Sequence, residues 1–189
     1  MPDRATRRAA LIATAVSLPV VLLIAGIAFA VFATRTANPT AASGAPTVGA
    51  GATGTVTMPA PKLSPAHAQA CLAFIAQLPN KLRNLEQRHV SNGPEQNAAF
   101  GDPPITVECG ATQVRPAPTD QVLTISGVCW FAQNGQASTV WTTLDREVPV
   151  AVTIPNTYAP GGAGSAQWAA EFSAPLVSAM PSIETPYNC

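Results

Sequence analysis

The sequence predicts an α+β fold, in which a small antiparallel sheet of about four strands carries two helices on one face. One transmembrane helix and a flexible linker are expected ahead of this domain. Three observations predict the arrangement. Residues 9–34 form one uncharged apolar run, residues 35–64 are mostly Thr, Ala, Gly, Ser and Pro, and residues 65–189 combine helical periodicity with the two-residue alternation of strands.

The apolar run is long enough to cross a membrane. It contains 26 residues, 9–34, and none of them is charged. A helix needs about 20 apolar residues to cross a hydrocarbon core of about 30 Å. Three arginines lie ahead of the run within residues 1–8, whereas Arg35 alone follows it closely. Because basic residues stay on the cytoplasmic side, the sequence predicts a cytoplasmic basic tip at 1–8, a transmembrane helix (a signal anchor) at 9–34 and an outer remainder.

A cleaved signal peptide is the alternative. The tripeptides at 28–30 (Ala-Phe-Ala) and 31–33 (Val-Phe-Ala) resemble small-residue cleavage sites. The apolar run is longer than the roughly 7–15 residues usual in a signal peptide, which favours a retained anchor. Both interpretations export the rest of the chain. It is either a single-pass cell-membrane protein with its C-terminal domain outside, or a secreted protein.

The linker at 35–64 has no aromatic residue and no sustained apolar period. Such a segment cannot bury enough surface to offset the entropy of ordering it. We therefore expect a flexible linker over 35–64, followed by one extracytoplasmic α+β domain over 65–189.

The domain is expected to begin with a helix. Ser64 suits the N-cap position and Pro65 the first turn. The apolar residues that follow have the spacing of one helical face: Ala70, Cys71, Phe74, Ile75 and Leu78. Pro79 ends this helix, and Leu82 and Leu85 are expected in a short helical turn beyond it.

Strands are expected next, at 105–109, 122–131, 138–144 and 148–154. The first and the last alternate apolar and polar residues, as half-buried strands do. Gly127 is a candidate bulge within the second, and Asn134-Gly135 predicts a hairpin between the second and third. Pro149 cannot donate to a ladder, so the last strand either lies at an edge or begins after it.

A second amphipathic helix is expected at 166–180, where every fourth position carries a large apolar side chain: Trp168, Phe172, Leu176 and Met180. Hairpin-linked strands form an antiparallel sheet, and a sheet with one apolar face needs a cover. The two helices are therefore predicted to pack together on that face.

Four cysteines, Cys71, Cys109, Cys129 and Cys189, all lie in the exported part. An even number in an oxidising compartment favours disulfides, and four cysteines allow three pairings. Cys71 and Cys109 both belong to faces that should point into the core, which favours bonding them to each other. Cys129 would then pair with Cys189 and hold the C-terminus.

Several function classes are excluded by composition and spacing. From residue 62 onward the chain has six basic and nine acidic residues, a net charge of −3, and no basic stripe, which argues against nucleic acid. The cysteine spacings fit no zinc motif, and the two histidines have no acid at ligand spacing. No nucleophile elbow or phosphate-binding loop is present. No catalytic, metal-binding or cofactor-binding residue and no cofactor are therefore predicted.

Asp102 is the one candidate for a functional turn. It stands between Gly101 and a double proline that leads into the first strand, so its backbone angles are restricted. It could be a fixed carboxylate at the end of the sheet, or a rigid turn that bonds its own backbone. In the first case Glu108 or Asp145 could serve as the second member of an acid–base pair, about 5–10 Å away.

Several stretches of the outer domain together carry a resemblance to a known family. They are the helix from Cys71 to Leu78-Pro79, the Gly101–Gly110 segment, Gly127–Trp130, and Asp145-Arg146-Glu147-Val148-Pro149-Val150 through Ile154-Pro155. Over roughly residues 68 to 156 the chain resembles an uncharacterised family of actinobacterial envelope proteins, known only as a domain of unknown function. The resemblance implies a membrane-anchored or secreted protein. Members of that family often have an acid where this chain has Cys129, which implies that Cys129 and Cys189 were acquired together.

The function expected from the sequence is that of a membrane-anchored extracytoplasmic envelope protein, a non-catalytic interaction or structural module and not an enzyme. Its expected partners are the membrane, through the N-terminal helix, and envelope proteins or cell-wall polymer. A carboxylate-dependent cell-wall enzyme and a small-ligand carrier are the alternatives.

Overall fold

The computed structural model of the protein describes residues 54–189. The predicted cytoplasmic tip at 1–8, the predicted transmembrane helix at 9–34 and most of the predicted linker lie outside these residues. Within 54–189, no helix combines the length and the apolar character that crossing a membrane requires.

The described residues form an eight-stranded sheet with two α-helices. The elements in chain order are α1 Pro65–Ile75, β1 Lys81–Leu82, β2 Leu85–Arg88, β3 Asn97–Phe100, β4 Ile105–Cys109, β5 Val122–Ile125, β6 Val128–Asn134, β7 Ser138–Thr143, β8 Val150–Pro155 and α2 Ser165–Ala179. The order across the sheet is β1-β2-β3-β4-β8-β7-β6-β5. Every neighbouring pair is antiparallel.

The sheet is larger than predicted, with eight strands instead of about four. The expected strand at 122–131 is two strands joined at Ser126-Gly127. Both turn residues have positive φ, 49° and 79°, as a two-residue hairpin turn requires. Gly127 is therefore a turn residue and not a bulge.

The other missed strands lie between the first helix and β4. Leu82 and Leu85 are not in a helical turn; they end β1 and begin β2, which form a hairpin around Arg83. All four residues of β3 are buried, so its sequence shows no alternation that would mark a strand.

The predicted strands at 105–109 and 148–154 are confirmed as β4 and β8. β8 begins after Pro149 and lies between β4 and β7, away from either edge. The predicted hairpin at Asn134-Gly135 is also confirmed, since β6 ends at Asn134 and pairs with β7.

Both helices cover one face of the sheet and pack against each other. Their buried side chains, Phe74, Phe172 and Leu176, belong to one core with Ile105, Val107, Trp130, Val150, Val152 and Ile154. Two tryptophans of the sheet donate from Nε1 to serine hydroxyls of α2 at 3.0 Å, Trp130 to Ser173 and Trp141 to Ser165. The predicted two-layer α+β arrangement is therefore present, on a larger sheet.

Two disulfides are present, in the pairing that the sequence favoured. Cys71–Cys109 joins α1 to β4, and Cys129–Cys189 joins β6 to the last residue of the chain. The first lies in the core under the helices, and the second lies on the other face of the sheet, because Cys129 alternates with Trp130 along β6.

Residues 54–64, which the sequence assigned to the linker, contact the sheet: Val56 forms a parallel bridge with Val90, just beyond β2, and Leu63 packs against the core under the helices. Val56 donates its N–H to the His89 carbonyl at 2.8 Å, and Asn97 donates from Nδ2 to the Pro59 carbonyl at 2.6 Å. Met58 is buried beside Ala99. The segment runs from the Asp102 turn to Gly110 at the opposite end of β4, where Leu63 contacts Gly110.

Candidate interaction site

Asp102 lies in the turn between β3 and β4, and its side chain is 55% exposed. Its Oδ1 is 3.6 Å from Nη1 of Arg88, which also donates to the carbonyls of Gly101 and Gly54. The Tyr158 hydroxyl donates to the Pro103 carbonyl at 2.8 Å. The surroundings of Asp102 are therefore those of a braced turn that also holds the segment beginning at Gly54.

The structure does not bring Asp102 together with the two acids named as its possible partners. Glu108 lies near the opposite end of β4, and three residues of strand already separate it from Ile105 by about 10 Å. Asp145 follows β7 at that same far end. Burial raises the pKa of Glu108, but no second carboxylate stands within its own strand to share a proton.

Asp145 and Arg146 are buried, and their side chains bond to backbone groups of the domain itself. The Asp145 carboxylate accepts the Cys129 N–H at 3.0 Å, and Arg146 donates from Nη2 to the Gly127 carbonyl at 2.7 Å. The Ile183 N–H reaches the Asp145 carbonyl at 2.9 Å, so the C-terminal segment is held here as well. The Asp-Arg pair thus fastens the β5–β6 turn and the tail to the sheet.

Among the described residues, β5 is a strand at one edge of the sheet, and some of its backbone groups face away from the sheet. Ile125 and Val128 flank a two-residue turn, so these two residues form a hydrogen-bonded pair. Along the rest of the hairpin, pairs that bond to each other alternate with pairs that do not. Cys129 belongs to a pair that does not bond across the hairpin, because its N–H and C=O both point toward the β7 side. Its register partner Thr124 therefore directs its own N–H and C=O away from the sheet, and so does Val122.

Two cavities flank this edge, one on each face of β5. The helix-side cavity, about 510 Å³, is lined by Leu123, Ala132, Trp141 and the beginning of α2. The tail-side cavity, about 450 Å³, lies beside Val122 and the residues just before the C-terminus. Asp120 and Gln121 line both cavities.

The charge at this edge is set by one carboxylate. Among the described residues that line the two cavities, Asp120 alone is charged. Its Oδ2 accepts the Ala117 N–H at 2.8 Å, which fixes its direction, and the residue is exposed. β5 itself has no charged residue, and Leu123 is 44% exposed. The edge thus combines free backbone groups, apolar side chains and one negative charge.

The sequence did not predict β5 as a separate strand, because 122–131 was interpreted as one strand. The Ser126-Gly127 dipeptide is a turn signal that would have divided it. Asp102 lies in a turn, and a functional role for its carboxylate stays a prediction. Among residues 54–189, no group of three His, Cys, Asp or Glu side chains is placed to hold a metal ion.

Comparison with family models gives one match: the model described as "Protein of unknown function (DUF3515)" matches residues 16–185. The expected resemblance to an uncharacterised domain family is confirmed at that level. Comparisons with curated proteins and with solved structures find no match.

Proposed function

We propose that this chain, which belongs to the DUF3515 family of proteins of unknown function, is a membrane-anchored extracytoplasmic module that binds another protein of the cell envelope and does not catalyse a reaction. One observation carries the proposal. β5 is an uncharged edge strand with two free backbone positions, and a cavity lies on each of its faces.

Binding is favoured over catalysis by the state of the polar groups. The buried Asp145 and Arg146 bond to backbone groups of the domain itself. Asp102 is an exposed carboxylate beside Arg88, at the other end of the sheet from Asp145. Acid–base work requires a second group within hydrogen-bonding reach of the same substrate, and these positions do not converge on one cleft.

Export to the outer side of a membrane is supported by two independent features. The uncharged run at 9–34 follows three arginines, as in a helix whose N-terminus stays in the cytoplasm. The domain that follows has both of its cysteine pairs joined as disulfides, which persist in oxidising compartments.

The test is site-specific photo-crosslinking of the full chain in cells that produce it. A photo-crosslinking amino acid replaces Gln121, which lines both cavities, or Leu72 as the control, which is 53% exposed on α1. We expect the protein in the membrane fraction, degraded by protease added to cells without their lysis, with a discrete adduct from position 121 only. Mass spectrometry should identify the adduct as another exported protein.

Two results would contradict the proposal. One is a protein that protease reaches only after the cells are lysed, which would place the domain inside. The other is an equal pattern of adducts from positions 121 and 72, which would mean that the β5 edge contacts nothing in particular.

A further inference from the structure

We propose that the partner binds by strand addition: an extended segment of the partner pairs with β5 as a ninth strand, and places an apolar side chain in the helix-side cavity and a basic side chain against Asp120. This inference rests on the proposed function, because it specifies how the β5 edge holds the protein that binds there.

The backbone of β5 has the geometry that strand addition needs. Val122 and Thr124 direct their N–H and C=O groups outward, and among residues 54–189 none of these groups has a partner on that side. An added strand would lie about 4.8 Å away and could bond to both residues. Thr124 is exposed, so the approach is open.

The two cavities fit the side-chain alternation of such a strand. Successive side chains of an extended segment point to opposite faces of the sheet, and one cavity lies on each face beside β5. On the helix side, Leu123 and the largely buried Trp141 provide an apolar floor. In strand addition the backbone bonds supply affinity and such cavities supply selectivity among side chains.

Charge decides which occupant fits. Asp120 stands between the cavities with no described cation lining either. A second copy of this chain would offer Val122–Ile125, an uncharged strand, from another domain whose charge is −3. It would leave Asp120 without a counterion and bring two acidic domains together. A segment of a different protein with a Lys or Arg beside apolar residues fits the edge better.

The experiment measures binding of defined peptides to the full chain purified in detergent. The probes are eight-residue peptides that alternate Val and Thr, with Lys at each position in turn, and a matched series with Glu in place of Lys. The best Lys peptide should bind about tenfold more tightly than its Glu counterpart, because attraction to Asp120 is replaced by repulsion. Asp120→Asn should reduce that ratio to about twofold or less.

The backbone contribution is tested by Thr124→Pro. Because the N–H of Thr124 points outward, proline there removes a donor at the edge and leaves the bonds to β6 intact. Binding of the best peptide should weaken about tenfold, with both disulfides still formed. Methylating one backbone nitrogen of the peptide gives the same test without altering the protein. Methylation at every second position, where the N–H faces β5, should weaken binding about tenfold, and methylation at the positions between them should have a small effect.

Strand addition would be overturned if Lys and Glu peptides bound equally, or if neither Thr124→Pro nor peptide methylation changed binding. It would also be overturned if Thr124→Pro converted a dimer into a monomer, since a second copy would then occupy the edge. Crosslinking from position 121 without peptide binding would refute this docking mode alone, whereas loss of the position-specific adduct would refute the proposed function itself.

Discussion

The two edges of the sheet are built differently. At one edge, β1 has two residues, follows Pro79, and carries Lys81, which pairs with Glu86 at 2.6 Å. Beside it, Arg83 lies 4.3 Å above the Trp168 ring and bonds to Glu171. At the other edge, β5 has four residues, none charged, and includes the half-exposed Leu123.

That difference has a physical meaning. Shortness, a proline and charged side chains are the means by which proteins stop an edge strand from pairing with other chains. β1 has all of them within or beside it. β5 has none in its four residues, and Asp120, two residues ahead of it, is a single flanking charge. A free edge is a liability for a protein unless a partner uses it. The contrast therefore supports one closed edge and one edge kept for binding.

The largest expected effect concerns the residue that fastens the β5 edge. Arg146 is 3% exposed and reaches the Gly127 carbonyl of the β5–β6 turn. Arg146→Ala leaves Asp145 as a buried charge without its neighbour, so we expect a loss of about 3–5 kcal/mol in the free energy of unfolding. Urea unfolding followed by tryptophan fluorescence measures it. Arg115→Ala, at an exposed arginine, is the control and should change stability by less than about 0.5 kcal/mol.

The next effect tests which β5 residues face outward. Leu123→Pro removes an N–H that bonds to β6, whereas Thr124→Pro removes one that does not. We expect the first to cost about 1–3 kcal/mol of stability and the second less than about 1 kcal/mol. The two variants are compared in the same unfolding experiment. Equal losses would mean that the assigned phase of the β5–β6 ladder is wrong.

A smaller effect is expected at the closed edge. Arg83→Ala removes the contact with the Trp168 ring and the bond to Glu171, both partly exposed, and should cost about 0.5–1 kcal/mol. Peptide binding at β5 should not change. An Arg83→Ala protein that gained peptide affinity would show that β1, once uncovered, is also a binding edge, and the contrast between the edges would weaken.

The smallest effect lies in the middle of the sheet. Burial raises the pKa of Glu108 above its ordinary value of 4.5, so the folded state holds this proton more tightly than the unfolded state. Between the unfolded and the folded pKa, the contribution of Glu108 to stability therefore falls as the pH rises. Glu108→Gln should remove that part of the pH dependence and slightly stabilise the protein at neutral pH. Unfolding of both proteins at several pH values measures it; an unchanged slope would contradict the assignment.

Local patterns predicted the parts of the fold that have a clear period. β4 and β8 alternate buried and half-buried residues, and the apolar faces of Cys71 and Cys109 were sufficient to choose the disulfide pairing. β3 is buried throughout and β2 reads Leu-Glu-Gln-Arg, so neither shows the pattern of a half-buried strand.

The proposed binding edge could not be predicted from local sequence. Whether β5 is an edge depends on the strand order, in which β8 inserts between β4 and β7 through contacts distant in the chain. Asp102 was selected because glycine and proline surround it, and these residues do form a turn, whereas a functional role for its carboxylate stays a prediction. The candidate site instead depends on Val122 and Thr124, whose residue types indicate no function. They belong to the site because their backbone groups face outward between two cavities.

The most direct measurement of the central claim is amide hydrogen exchange at β5 in the full chain, with and without the Lys peptide that binds best. Without peptide, we expect the Val122 and Thr124 amides to exchange quickly and those of Leu123 and Ile125 slowly, because only the latter bond to β6. With peptide, Val122 and Thr124 should become protected as well. Protection that appeared elsewhere on the domain while Thr124 still exchanged quickly would contradict strand addition at this edge.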